Sequence, residues 1–258
     1  MTTVLDTVAA RRVLSPWAAP RLVGAVLAWI TLVLVVDARA GIASQRVLGV
    51  ATWGVLALLL ARESALVRVQ TLVVVAFASC VEYTFSPVLG VYLYRFDNVP
   101  AYVPPGHGLV YLAALAIGRT AFVRARVRGL GALVVVAGGC WSLYGVTLAD
   151  RPDVLGAFWF LCLIAFLRWG PSPGLYVGAF VVVSYLELVG TSLGTWAWQP
   201  HDPTGLVSMG NPPSGAAGGY GWFDLAATLL GPALLVRIRS LTGRRRQQDP
   251  PPLGSAGS

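Results

Sequence analysis

The sequence predicts an all-α polytopic membrane protein, about eight transmembrane helices built as a duplicated four-helix unit. Three observations predict this. The 258-residue chain is 56% hydrophobic and only 12% charged, about half the charged fraction of a soluble domain, and its mean hydropathy is +0.70. Its apolar residues fall in long runs separated by short polar joints. One pattern of acidic, glycine and aromatic residues occurs twice in the same order.

Apolar runs of this length cross a bilayer as helices, because lipid offers no partner for an unpaired backbone group. After a cytoplasmic segment, residues 1–21, the first repeat covers 22–128. Its spans lie near 22–37, 46–61, 66–86 and 107–124. The second repeat covers 129–241, with spans near 129–149, 153–169, 173–193 and 220–237. The tail, 242–258, is rich in Arg, Pro, Gly and Ser, the composition of a disordered cytoplasmic segment. Arg11 and Arg12 ahead of the first span, and Ala38-Arg39-Ala40 behind it, imitate a signal peptide. The span has a counterpart in the second half, so it is expected to be retained. The period-two alternation of a membrane barrel is absent from the sequence.

The net charge of +8 comes from 19 basic residues, all arginine. With the N-terminus inside, fifteen fall in inside segments: Arg11, Arg12, Arg21, Arg62, Arg68, Arg119, Arg124, Arg126, Arg128, Arg168, Arg237, Arg239, Arg244, Arg245 and Arg246. Only Arg39, Arg46, Arg95 and Arg151 fall outside. This asymmetry places both termini in the cytoplasm of a multi-pass inner (plasma) membrane protein. The basic charge thus serves topology and anionic lipid rather than a nucleic-acid partner. Cys80, Cys140 and Cys162 all fall within spans and read as small buried hydrophobes.

The repeat is seen in polar, aromatic and glycine positions. VLG at 47–49 matches VLG at 154–156, Trp53 matches Trp159, and Arg62 matches Arg168. Glu82 matches Glu187, and GHGLVYLAA at 106–114 matches GYGWFDLAA at 219–227. Four helices separate equivalent points, so the two halves are parallel, related by a pseudo-twofold axis along the membrane normal.

Each copy places an acid at the outer end of its third span. Glu82 is followed by Gly90, Tyr92 and Tyr94; Glu187 is followed by Gly194, Trp196 and Trp198. The loops 87–106 and 194–219 carry several prolines and are expected to fold back over the helix ends and roof a pocket. The next helix begins with a four-spaced polar pair on one face: His107 and Tyr111, matched by Tyr220 and Asp224. Asp37, Asp97, Asp150, Asp153 and Asp202 read as solvated loop charges, and Asn98 and Asn211 as turn residues.

Such a set suits proton-initiated chemistry on an apolar lipid. An apolar surrounding favours the protonated form of a carboxyl group, which can then donate to an alkene. Asp224 and Glu187 are the expected acid and base, with Glu82 and His107 in support. Tyr92, Tyr94, Tyr111, Trp196, Trp198, Tyr220 and Trp222 would hold the substrate, and their π faces would stabilise a cation. No metal and no cofactor is expected; only two histidines occur in the chain, and phosphate-binding and nucleophile-elbow motifs are missing from the sequence. The same acids would also serve a proton-coupled transporter or lipid-binding scaffold with two rocking halves.

ELVGTSLGTWAW (187–198) and EYTFSPVLGVYLY (82–94) resemble segments of the integral-membrane carotenoid enzymes, the heterodimeric-type lycopene cyclases and bacterioruberin-type carotenoid hydratases. The resemblance covers about a quarter of the chain. It implies acid–base chemistry on polyene or isoprenoid ends without a redox cofactor, by a cyclase, isomerase or hydratase, with Glu82 and Glu187 as motif acids. The cyclases' paired glutamate after the loop proline is absent here, where the loops run VPPGHG and NPPSG.

Overall fold

A computed structural model describes residues 18–248, with side chains over 19–241. Arg11, Arg12 and the tail beyond 248 lie outside the described residues, and so do the side chains of Arg244, Arg245 and Arg246. Eight α-helices occur among the described residues: α1 (Ala18–Asp37), α2 (Ile42–Ala61), α3 (Ala65–Tyr83), α4 (Val103–Gly118), α5 (Ala121–Thr147), α6 (Val154–Trp169), α7 (Pro173–Ser192) and α8 (Ala216–Gln248). Six stretches are long and apolar enough to cross a membrane: α1, α2, α3 with its extension to Val88, α5, α7, and α8 as far as Leu241. α4 and α6 have only 16 residues each. At 1.5 Å per residue they reach about 24 Å, short of a hydrocarbon core of about 30 Å.

The helix ends are set by local chemistry. The Ser64 side chain accepts from the Val67 N–H and starts α3; Thr120 accepts from Val123 N–H and starts α5. Pro104 and Pro105 sit in the first turn of α4, and Pro173 opens α7, positions where a missing N–H costs nothing. The Thr120 cap puts the joint between α4 and α5 at Arg119–Thr120. The arginines at 124, 126 and 128, read from sequence as part of a joint near 128, lie inside α5, where Arg126 marks a kink. α8 likewise continues as helix through 242–248, into the segment expected to be disordered.

α4 and α7 form the centre. α4 is apolar on every side and buried over most of its length, as a wrapped helix must be. The two approach closely: a Cβ at Gly178 would come within 2.3 Å of the Ala114 carbonyl oxygen. α3 likewise packs on α8. The outside of the bundle is apolar, with Val50, Leu58, Leu133, Val136, Leu161 and Trp169 exposed, as for a surface covered by lipid. Cys80 and Cys140 belong to that exposed surface and Cys162 is half-buried, so they are not the core residues expected.

After α3 the chain makes one π-helical turn, Thr84–Val88, containing Pro87. Two short strands follow the third helices, β1 (Tyr92–Tyr94) and β2 (Trp196–Trp198). They pair antiparallel, Tyr92 with Trp198, Leu93 with Ala197 and Tyr94 with Trp196. The order helix, helix, helix, strand, helix therefore occurs twice along the chain.

Candidate functional site

The two strands explain the aromatic spacing. Successive side chains on a strand point to opposite faces, so Tyr92 and Tyr94 face inward while Leu93 faces out, and Trp196 and Trp198 face inward while Ala197 faces out. Gly90 and Gly194 precede them with φ of +63° and +68°, in the left-handed region that glycine enters freely. Each strand thereby turns back under its own third helix.

There each pair of aromatics grips the acid of the helix that precedes its strand. The Tyr92 and Tyr94 hydroxyls donate to Glu82 Oε2 at 2.9 and 2.8 Å. The Trp196 and Trp198 indole N–H groups donate to Glu187 Oε2, both at 3.1 Å. Both carboxyl groups are inside the protein, Glu82 at 6% and Glu187 at 3% exposure, not solvated at helix ends. Burial, reinforced by the Glu82 carboxylate, pushes the Tyr92 and Tyr94 phenols far up. They remain protonated donors.

The two acids differ in their further partners. His107 Nε2, at the start of α4, meets Glu82 Oε1 at 2.9 Å. Glu82 thus has both oxygens engaged, by two phenols and an imidazole. Glu187 takes both indole bonds on one oxygen, and Oε1 has no side-chain donor among the described residues. Tyr220, which the sequence pairs with His107, stacks on the imidazole at 5.0 Å between ring centroids and 25° between planes.

These groups line one cavity of about 250 Å³. It lies between the third helices, the starts of α4 and α8, and the two strands, which roof it as expected of the loops. Its walls are otherwise apolar, including Ile30, Val33, Phe85, Val110, Leu186 and Phe223. Phe77 and Trp222 also line it, yet are 39% and 48% exposed on the outside of the bundle. The cavity wall is thus one side chain thick towards the lipid-facing surface.

Of the expected site residues, Glu82, Glu187, His107, Tyr92, Tyr94, Trp196, Trp198, Tyr220 and Trp222 come together here. Tyr111 and Asp224 do not. Each lies one helical turn further along its helix and is buried, Tyr111 in a packed cluster with Val74, Ala78, Leu175 and Ala179. Asp224, the expected acid, is not among the side chains that line the cavity.

Two aspartates expected in solvent are buried instead. Asp37, at the end of α1, accepts from Gln45 Nε2 and the Tyr102 hydroxyl. Asp153 accepts from the backbone N–H groups of Gly156, Gly210 and Ser214. Arg95 donates to the Asp37 and Ala40 carbonyl oxygens, and Arg151 to those of Met209, Trp198 and Gln199. Asn98 donates to Gln45, and Asn211 accepts from the Trp198 N–H. These contacts tie the loops to the helix ends and hold the roof. The sequence signal for Asp153 was its place three residues before Gly156, an N-cap position. No group of three metal-ligating side chains occurs among the described residues.

The site thus offers two acids, an imidazole and twelve Phe, Tyr and Trp side chains around a small apolar space, and this arrangement can hold and transfer protons beside an apolar molecule. No protein-family model, curated protein or solved structure matches this chain.

Proposed function

We propose that the protein is an integral-membrane enzyme acting on an apolar isoprenoid or carotenoid-like lipid by proton-initiated chemistry, as a cyclase, isomerase or hydratase. The observation that carries this reading is the meeting of Glu82, His107 and Glu187 in one aromatic-walled apolar cavity. Carboxyl groups without a buried lysine or arginine beside them suit a proton donor and acceptor better than an ion-pair scaffold. The volume, about 250 Å³, suits the end of a long lipid, with the remainder passing out beside Phe77 or Trp222.

In this reading Glu187 donates from Oε1 to a terminal carbon of a C=C bond, and a carbocation forms at the neighbouring carbon. The faces of Trp196, Trp198, Tyr92 and Tyr220 stabilise it by about 2 kcal/mol or more in a desolvated site. The Glu82–His107 pair then takes a proton from the carbon next to the cation, and that C–H electron pair becomes the shifted double bond; in a cyclisation a second C=C bond of the lipid first attacks the cation, forming the ring C–C bond and a new cation, which loses its neighbouring proton to the same pair, with no change in formula in either case. If water adds to the cation instead, the pair takes its proton and an alcohol results.

The duplicated eight-span architecture is part of the proposal. The crossed α4–α7 and α3–α8 packing supports it. So does the strand register, in which equivalent residues exchange partners as a twofold axis requires. Arginine placement favours both termini in the cytoplasm of the inner membrane. The test is expression in a host that makes carotenoids and polyprenyl lipids, followed by mass spectrometry of the lipid extract. A new lipid species, lost in Glu187→Gln, is expected. A host lipid profile unchanged by the wild-type protein, with lipid bound intact, would favour a lipid-binding scaffold.

A further inference from the structure

The cavity lies beside two helix seams, α4 against α7 and α3 against α8, and the seams differ in what covers them. α1 packs on both α4 and α7, with Val26, Ile30, Val33 and Leu34 buried. Among the described residues no helix covers α3 and α8 from the outside in this way. The exposures follow the same division. Phe77, five residues before Glu82 on α3, is exposed; Val182, five residues before Glu187 on α7, is 0% exposed. Trp222, two residues after Tyr220 on α8, is exposed; Leu109, two residues after His107 on α4, is 0% exposed. The cavity is therefore closed by a helix on one side and by side chains alone on the other.

The side closed by side chains has the form of an entrance. Phe77, Val81 and Phe85 follow one another along α3 at a spacing of four, and all three line the cavity. α8 contributes Gly219, Trp222 and Phe223, and the glycine puts no side chain into the wall. None of these six residues is charged. Phe77 meets Phe223 edge-on at 5.2 Å between ring centroids, and Phe223 meets the His107 ring edge-on at 5.4 Å. Two rings in series thus separate the lipid-facing surface from the imidazole. An exposed side chain changes rotamer within nanoseconds, so Phe77 can swing into the surrounding lipid with no helix displaced. Opening the other side requires α1 to leave α4 and α7.

We propose that the α3–α8 seam beside Phe77 is a lateral entrance, through which one apolar chain of a bilayer lipid passes end-first to the carboxyl groups. The proposal rests on the reading of the cavity as a lipid site. Phe77 and Val81 bound the opening, and Phe223 is the inner ring that the chain displaces before it reaches His107. With the chain absent, Phe223 keeps its edge on the imidazole; with the chain in place, lipid replaces that edge. The entrance also decides which part of the lipid reacts. It is the chain end that enters first, while a polar headgroup stays outside an opening that has no charge to receive it.

The test is photolabelling of the full chain in lipid bilayers with a long-chain polyprenol that carries a diazirine at the end away from its hydroxyl. Mass spectrometry of peptides locates the label. Label is expected on Ile30 and Val33, buried residues of the cavity wall, as well as on exposed Leu133 and Val136. Val81→Trp should cut the interior label fivefold or more, and Phe77→Ala should raise it twofold or more, with the exterior label constant. Leu133→Trp, on the outside of α5, should leave the interior label unchanged. Opposite responses of the Val81 and Phe77 variants distinguish an entrance from a folding defect, which would move both in one direction. Label confined to the exterior, or interior label unchanged in Val81→Trp, would overturn the proposal. Labelling needs no turnover, so the entrance and the chemistry fail separately. Interior label without a new lipid product would contradict the chemistry and keep the entrance; a product formed with Ile30 and Val33 unlabelled would overturn the entrance alone.

Discussion

Removing one hydroxyl from the Glu82 clamp has a calculable consequence. Glu82 Oε2 accepts from Tyr94 at 2.8 Å and from Tyr92 at 2.9 Å, while Oε1 meets His107 at 2.9 Å. Tyr94→Phe keeps the ring and its edge contacts with Tyr92 and Trp196 and deletes only the donor. A buried hydrogen bond to a charged group contributes about 1.5–3 kcal/mol. Tyr92 still serves the same oxygen, so the single change should fall near the lower figure, about 1.5 kcal/mol. Tyr92→Phe should cost the same. The double variant leaves Oε2 without a donor while His107 still meets Oε1, so it should cost at least the sum of the two singles, about 3 kcal/mol. The assay is reversible unfolding in mixed micelles titrated with a denaturing detergent, read out as a double-mutant cycle. A double variant within about 0.5 kcal/mol of the wild type would refute the clamp, since surface changes have effects of that size.

Three further outcomes follow from the geometry. A Cβ on Gly190 would come within 1.8 Å of the Trp196 ring, so Gly190→Ala should displace the indole from Glu187 and destabilise by about 1–3 kcal/mol, seen as a lowered Tm and a changed near-ultraviolet circular dichroism signal from tryptophan. Asp153→Ala strands three buried N–H groups, those of Gly156, Gly210 and Ser214; it should cost about 2–4 kcal/mol, against less than about 0.5 kcal/mol for exposed Asp150→Ala, compared by thermal unfolding. Hydrogen bonds from the Thr204 hydroxyl and the backbone N–H of Val207 hold the Asp202 carboxyl below its usual range. Its folded value is thus below its unfolded one, so the 202–207 turn is fully supported above the ordinary aspartate value of about 3.9. That support is lost as pH falls through the lowered value, and amide exchange at Val207 should accelerate there and not at neutral pH.

Much of this architecture is written in local patterns. The apolar runs locate the helices, because a chain in lipid must satisfy its own backbone, and the recurrence of Glu, Gly, aromatic, x, aromatic locates both acids and their roof. The strands were the missed element. Tyr92-Leu93-Tyr94 and Trp196-Ala197-Trp198 each alternate with period two, yet three residues are too few to declare a strand without knowing their partner, and the partner lies a hundred residues away. Asp224 falls outside the cavity lining for a related reason. Its four-residue spacing from Tyr220 puts both on one helix face, but a turn is 5.4 Å long, and the cavity ends above it. The burial of Asp37 and Asp153 depends on which loops fold over them, which composition does not encode.

The central claim is that Glu187 and the Glu82–His107 pair exchange protons with an apolar lipid inside the cavity. Membranes carrying the full-length protein, supplied with unlabelled polyene or polyprenyl lipid in D2O, test it most directly by mass spectrometry of the recovered lipid. Proton donation from Glu187 predicts a product one mass unit heavier than that made in H2O, with the deuterium retained on carbon, and no such product from Glu187→Gln. A product formed without deuterium, or labelling equal in Glu187→Gln and wild type, would contradict the account.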